Sequence, residues 1–344
     1  MAIALVLASA IASSAVTIDW VDVGNAGNTA DPATGYGAVN HPYSIGKYEV
    51  TIGQYADFLN AAAKTDPYGL WTASMGSDPN IAGITRSGTS GGFTYSLTGP
   101  AGDTAGQSQA NRPIAFVSWW DAARFSNWMQ NGQGSGGTET GAYTLNGKTS
   151  GSAPTRNADA TVFIPTENEW FKAAYYSPQK NAGLGGYYTY ATQSDSAPGN
   201  TIGSTANQAN YHPGTHYSTT PASEIYSLNQ NYLTDGGAFS ASGSFYGTFD
   251  QDGNVQEWSD DFWSGLNRGV GVRGGFWNSS SDSSLSKSSR TFANPSDENS
   301  GYGFRLGSVV SVPEPTSLAI LLTGIAGSLV SAIRARCSLR ARGG

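Results

Sequence analysis

The chain has 344 residues, a formal net charge of −7, only 12% charged residues and 45 Gly. So few charges argue against a helical bundle with ion-paired faces, and the acidic balance argues against a partner with a phosphate backbone. A single cysteine, Cys337, rules out an internal disulfide or a thiolate metal cluster.

Met1 to Ala15 form an apolar, small-residue stretch closing on Ala12-Ser13-Ser14-Ala15. That is the pattern of a secretory h-region and cleavage site, so residues 1–15 are expected to be a signal peptide. No positive charge precedes the stretch, which leaves room for a start further upstream. Short β-like runs then alternate with turns. Thr17 to Val21 and Tyr43 to Val50 are the strand candidates. Thr51 opens a helix, with Gln54 placed for a capping box and Tyr55, Phe58 and Leu59 on one face. Ser118 with Asp121 opens a second helix through Ala122, Phe125 and Trp128, and Thr166 with Glu169 a third through Trp170 and Ala173.

Between these elements, Ser74 to Ala110, Gln130 to Asp159 and Tyr176 to Ser244 are rich in Gly, Ser and Thr. They exceed ordinary loop lengths, which marks them as functional surfaces or loosely ordered insertions. No internal repeat is visible. The hydrophobic fraction is 38%, but 9 Trp and 18 Tyr can build a core from few residues.

Past Val312-Pro313-Glu314-Pro315 an apolar run, residues 318–333, leads into Arg334, Arg336, Arg340 and Arg342. Without those arginines Lys+Arg falls from 18 to 14 against 25 acids. The run is a short candidate membrane helix, and the arginines after it would keep that end in the cytoplasm. Pro-Glu-Pro, apolar helix and basic end in that order resemble the PEP-CTERM sorting signal of Gram-negative bacteria. The resemblance implies export to the periplasm, cell surface or beyond, transient anchoring in the inner membrane, and an exosortase as partner at residues 312–344. Cys337 then falls in the cytoplasmic stub and is no candidate nucleophile.

The segments in between form an ordered set. Lys47-Tyr48-Glu49-Val50-Thr51 comes first, then Arg112-Pro113-Ile114-Ala115-Phe116-Val117-Ser118-Trp119-Trp120-Asp121. Pro165-Thr166-Glu167-Asn168-Glu169-Trp170 follows, then Gly253-Asn254-Val255-Gln256-Glu257-Trp258. Arg273-Gly274-Gly275-Phe276-Trp277 and Gly301-Tyr302-Gly303-Phe304-Arg305 complete it. Each motif alone is weak; six in order over residues 16–310 resemble the formylglycine-generating enzyme family, the sulfatase-modifying-factor domain. The resemblance implies an α+β fold, a single large domain of C-type-lectin-like type with short helices, short strands and much irregular structure.

It also implies sites. The matching calcium ligands would be the carboxylates of Asp250 and Glu257 and the carbonyls of Gly253 and Val255, with Asn210 and the Tyr211 carbonyl left from a second calcium site. Carboxylates plus carbonyls in a glycine turn suit the oxygen preference of calcium. The catalytic cysteines of the family would fall at Ser279 and Ser284, inside the serine-rich run Asn278 to Ser289. A serine hydroxyl is a hard, weakly acidic donor and does not replace a thiolate on a soft copper ion. Copper and formylglycine chemistry are therefore not expected. The expected role is a calcium-stabilised binding or structural module of the extracellular matrix, with an extracellular polysaccharide as ligand. The alternative is an oxidoreductase of the sulfatase-modifying type, or another metal-dependent enzyme with an unrecognised site.

Other chemistries find less support. His41, His212 and His216 are the only histidines, and Pro213 and Gly214 argue against a helical His212–His216 pair, which speaks against a three-histidine iron site. No G-x-S-x-G elbow is present for a serine hydrolase. Asp260 and Asp261 beside Trp263 read as a solvated acidic pair, Trp119-Trp120 as core, and Tyr187-Tyr188-Thr189-Tyr190 as either core or a ring-stacking surface.

Overall fold

The computed structural model of the protein describes residues 15–99, 109–263 and 269–310. The expected leader (bar Ala15), the 312–344 signal and Cys337 lie outside those residues. In chain order the described elements begin with β1 (Trp20–Val23), β2 (Tyr43–Gly46), α1 (Ile52–Ala62) and α2 (Ser74–Ser77). β3 (Ile84–Ser87), β4 (Thr94–Leu97), α3 (Trp119–Gln130), β5 (Val162–Phe163), α4 (Glu167–Tyr175) and β6 (Tyr176–Ser177) follow. β7 (Gly186–Tyr187), β8 (Gln256–Trp263), β9 (Gly269–Arg273), β10 (Thr291–Ala293), β11 (Tyr302–Gly303) and β12 (Gly307–Val309) close the series.

Two four-stranded sheets carry the architecture, in the orders β1-β2-β12-β5 and β10-β9-β8-β11, with small hairpins β3–β4 and β6–β7 beside them. The last strand inserts between β2 and β5, so the first and last parts of the domain share one sheet. In the second sheet β8 pairs antiparallel with β9 through a register shift between Trp258 and Phe262, while β11 lies parallel to β8. Among the described residues no helix is long and apolar enough to cross a membrane.

All three expected helices form where their caps place them. Thr51, Ser118 and Thr166 each accept from the backbone of the third helical residue, and Gln54, Asp121 and Glu169 reach back to close the box. α3 is buried nearly all round, from Trp119 to Trp128, which makes it the central helix of the core. Phe125 meets Phe58, Trp128 and Phe304 at ring-centroid distances of 5.3, 5.6 and 5.5 Å, so two sequence-distant segments converge with its own helix on one ring. Each such buried ring stabilises the fold by roughly 1.5–3 kcal/mol, which is how a chain poor in aliphatic residues sustains a core.

Three expectations need correction. β1 starts at Trp20 rather than Thr17, because the preceding segment is held by side chains instead of a ladder. Gln133 accepts from the Val16 amide at 2.6 Å, and Gln54 donates to the Thr17 carbonyl at 2.8 Å. β2 stops at Gly46 rather than Val50, since the carbonyls of Gly46 and Lys47 accept from the Arg305 guanidinium at 2.9 and 3.3 Å. The 74–110 stretch is not structureless, for it holds α2 and the β3–β4 hairpin packed on α1.

Candidate functional site

The Gly253–Trp258 turn is fixed by a close backbone approach. Gly253 has φ +96°, and a Cβ there would fall 2.2 Å from the Asn210 carbonyl oxygen, so only glycine fits. Asn254 follows with its own amide donating to that carbonyl at 2.9 Å. The Asn254 side-chain oxygen accepts from Asn210 Nδ2 at 2.9 Å and from the Thr234 amide at 3.1 Å. Asn210 and Tyr211 were expected at a separate calcium site, yet Asn210 is bridged to Gly253 itself. The Tyr211 carbonyl accepts from Asn200 Nδ2 at 3.4 Å. Trp258 then sinks into the core and donates its indole N–H to the Val117 carbonyl at 2.9 Å.

Glu257 is wholly buried against Arg305. The guanidinium donates to its two oxygens at 2.6 and 2.7 Å, and Trp170 Nε1 adds a third bond at 2.8 Å. The remaining Arg305 donors go to the carbonyls of Gly46, Lys47 and Phe249, so every N–H of this buried cation is used. Glu257 is thus already neutralised by protein. Asp250, four residues before Asn254, is half-buried; one oxygen accepts from the Gly237 amide at 2.6 Å, and desolvation pushes its pKa up to about 6.

Sequence reasoning missed Glu49. Its side chain is 3% exposed and neither carboxylate oxygen has a hydrogen-bond partner. Burial first, and then the Asp250 carboxylate, push its pKa well above the usual carboxylate range, with Arg305 the cation that opposes them. Glu49, Asp250 and Glu257 therefore share one guanidinium, which leaves surplus negative charge in the interior. An orphaned buried carboxylate beside a second one and a glycine turn fits a hard divalent cation with oxygen ligands. Among the described residues no three acidic, His or Cys side chains converge to hold a metal, so such a cation would also draw on backbone carbonyls. The signal available in the sequence was an acid set between Tyr48 and the apolar Val50 and Ile52.

Glu49 also lines an open groove of about 500 Å³ together with Asp19, Asp57, Gln54 and Asn111.

Ser279 and Ser284 do come together. A Cβ on Gly275 would lie 3.3 Å from Ser279 Oγ and 3.2 Å from the Ser284 carbonyl oxygen, so both positions flank one glycine. Ser279 is 6% exposed, and its hydroxyl accepts from the Phe276 amide at 3.0 Å. Its carbonyl accepts from the His212 amide at 3.1 Å, a backbone contact that does not make His212 a base for the hydroxyl. Ser284 ends a short 3₁₀ turn, Asp282–Ser284. Among the described residues neither hydroxyl is paired with a base, and neither is a ligand type that holds copper.

The remaining candidates resolve as structure. Asp260 and Asp261 are not a solvated pair: Asp260 accepts from Arg156 Nε at 2.9 Å, and Asp261 caps the Glu167 amide at 2.5 Å. Burial pushes Asp260 up to about 7 even so. Trp119 and Trp120 are core, as expected, and Tyr187 and Tyr190 are buried too, leaving Tyr188 and Thr189 of that run half-buried. His41 contacts Glu169 at 3.1 Å, His216 contacts Thr215, and His212 stacks on Tyr217, so the three imidazoles do not converge on one centre.

Comparison with known proteins places these motifs. FGE-sulfatase, the sulfatase-modifying factor enzyme 1-like domain, matches residues 18–309. The chain belongs to that family, and its mixed α+β fold of short helices, short strands and long irregular segments is the family's fold. Among solved structures it is similar to Treponema denticola variable protein 1, at 19% identity and TM-score 0.45 over 86% of this chain and 96% of that one. CarF is similar at 20% identity and TM-score 0.45, covering 86% and 99% of the two chains. PvdO from Pseudomonas aeruginosa follows at 16% identity and TM-score 0.40, covering 86% and 92%. No curated protein matches the chain.

Proposed function

We propose that this family member is an exported binding or structural module of the extracellular matrix, without formylglycine-generating activity. One observation carries the reading: the two positions expected to hold thiolates are Ser279 and Ser284, gathered around Gly275 with no base on either hydroxyl. The only thiol of the chain, Cys337, belongs to the expected sorting signal. The leader and the 312–344 tail serve export from a Gram-negative cell, with exosortase acting at the tail while the 318–333 helix holds the protein in the inner membrane.

A structural calcium stiffens the scaffold in this reading. Asp250 and the Gly253 and Val255 carbonyls come from the family pattern, and Glu49 supplies the carboxylate that Glu257 has committed to Arg305. Long irregular segments on a rigid scaffold suit ligand binding, and an extracellular polysaccharide is the ligand class.

The test is direct. The purified full-length chain is incubated with copper, oxygen and a sulfatase-type cysteine peptide, and mass spectrometry looks for formylglycine. The expected result is none, from protein that also binds cell-surface polysaccharide in calcium and less so in a chelator. Conversion of the cysteine would overturn the reading outright.

A further inference from the structure

The segment after Asn210 builds an aromatic stack against the Ser279 region that no role above absorbs. Tyr232 lies nearly parallel to Trp277, centroids 5.2 Å apart at 5°. Tyr217 sits 4.2 Å from Tyr232 on one side, and His212 stacks 4.2 Å from Tyr217. Tyr226 extends the pile outward, 5.7 Å from Tyr232 at 17°. Tyr232 and Trp277 are buried, whereas Tyr226 keeps 47% of its surface exposed.

Tyr226 is not a loose loop ring. Its hydroxyl donates to Asn80 Oδ1, and Asn80 Nδ2 donates to the carbonyls of Ser227 and Gln230 at 2.7 and 3.0 Å. The Ser227 amide donates to Tyr232 Oη at 2.8 Å. The loop is therefore pinned at Tyr226 and just after it, and one ring face is presented outward, flanked by the exposed Ile225 and Leu228.

The turn that carries Tyr217 holds polar atoms with nothing to bond. His212 Nε2, Thr219 Oγ1 and Thr220 Oγ1 are buried and without hydrogen-bond partners. Tyr217 Oη donates to Asn278 Oδ1 at 3.2 Å, next to Ser279. Buried hydroxyls and imidazoles normally find a partner in protein, water or ligand, so three orphans in one segment point to a missing one. Burial, and then the neighbouring His216, lower the His212 pKa, and the charged groups nearest the stack are acids, Glu224 by His212 and Asp78 by Tyr226, which would repel an anion.

We propose that this stack is a binding site for a neutral pyranose ring of a polysaccharide. The Tyr226 face would stack on the apolar face of the sugar, and the orphan hydroxyls and imidazole of the Tyr217 turn, which lie below the surface, would reach its hydroxyls through bridging water. The proposal rests on the polysaccharide reading above and fixes where, and for which charge class, that binding occurs. The chain as a whole carries −7, yet these contacts are uncharged side chains, which suits an uncharged sugar over an anionic one.

Calorimetry on the full-length chain tests it with cellohexaose and maltohexaose as neutral probes, an alginate hexamer as the anionic one and a chitosan hexamer as the cationic one. A neutral hexamer is expected to bind, at least tenfold more weakly to Tyr226→Ala and about threefold more weakly to Thr220→Val, with Tyr226→Trp restoring the affinity. Tyr226 is surface-exposed, so an unchanged melting temperature shows that the Ala variant is folded. Binding of the neutral probes that both variants leave intact would overturn the site but leave the polysaccharide reading standing. So would binding confined to the charged probes. Failure of the wild-type chain to bind these or whole cell-surface polysaccharide would overturn both.

Discussion

Two buried carboxylate clusters in this molecule use the same ingredients in different proportion. At the start of α4, Glu167 is held by Arg273 at 2.6 Å and by Arg290 at 2.5 and 2.6 Å. Glu169 and Asp260 share Arg156 at 2.8 and 2.9 Å, with His41 as a further partner of Glu169. Burial there works to raise Glu169, but His41 and Arg156 outweigh it and hold the carboxyl at about 2. Around Arg305 the balance is reversed: Glu49, Asp250 and Glu257 lean on one guanidinium, and Asp250 rises to about 6. The interior accepts acids where cations match them in number. Where they do not, either a proton or a further cation must complete the site.

The sharpest way to break that contrast is to remove the shared cation. Arg305→Met leaves the buried Glu49 and Glu257 and the half-buried Asp250 without their shared cation and frees the carbonyls of Gly46, Lys47 and Phe249. The expected loss is about 3–5 kcal/mol, read as a fall in melting temperature of roughly 10 °C or more. Arg156→Met should cost less, about 2 kcal/mol, because Arg156 is partly exposed and Glu169 keeps its capping and His41 contacts. Equal losses from the two variants would mean that the surplus charge at Arg305 has no energetic weight.

Calcium addresses the surplus from the other direction. At a concentration a hundred times its dissociation constant, a bound ion stabilises the native state by about 2.7 kcal/mol. The wild-type chain is expected to melt several degrees higher in calcium than in chelator. Glu49→Gln should abolish that response and at the same time stabilise the calcium-free protein near neutral pH, since it removes a buried carboxyl that is costly to ionise. A calcium response preserved in Glu49→Gln would place the ion elsewhere.

Much of the scaffold was readable because it is local. A capping box spans four residues, so Thr51, Ser118 and Thr166 announced their helices correctly. The ordered motifs likewise led to the right family and fold class. What stayed hidden depends on pairs far apart in the chain. Nothing near Glu49 says that Asp250, Glu257 and Arg305 will surround it, and nothing near Gly307 says that β12 will slot between β2 and β5. Asp260 and Asp261 looked solvated because their cover, Arg156 and the amide of Glu167, lies about a hundred residues upstream. Tyr217, Tyr226 and Tyr232 looked like loop residues because only the fold stacks them on Trp277.

The smallest expected effect is also the most specific, because Asp250 and Glu49 should respond to pH with the opposite sign to Glu169. Asp250 and Glu49 have folded pKa values raised above their ordinary 3.8 and 4.5, so the native state binds more protons than the unfolded one in that window. The Asp250 contribution to stability is present at low pH and is lost as pH rises from about 4 through about 6, and the Glu49 contribution is lost in the same direction from about 4.5 upward. Glu169 is depressed, so its contribution is present above about 4.5 and disappears as pH falls toward 2. Asp121 at about 6 and Asp260 and Glu298 at about 7 add further decline with rising pH, but none of them belongs to the Arg305 cluster. The informative quantity is therefore the difference between chelator and calcium. Calcium needs deprotonated carboxylates and holds Asp250 and Glu49 in that form. In chelator, stability measured by denaturant titration should fall by about 1–2 kcal/mol more between pH 4.5 and 7 than it does in calcium. Glu49→Gln should shrink that gap, while Arg156→Met should leave it in place. A gap that Arg156→Met closes and Glu49→Gln does not would assign the missing cation to the α4 cluster instead.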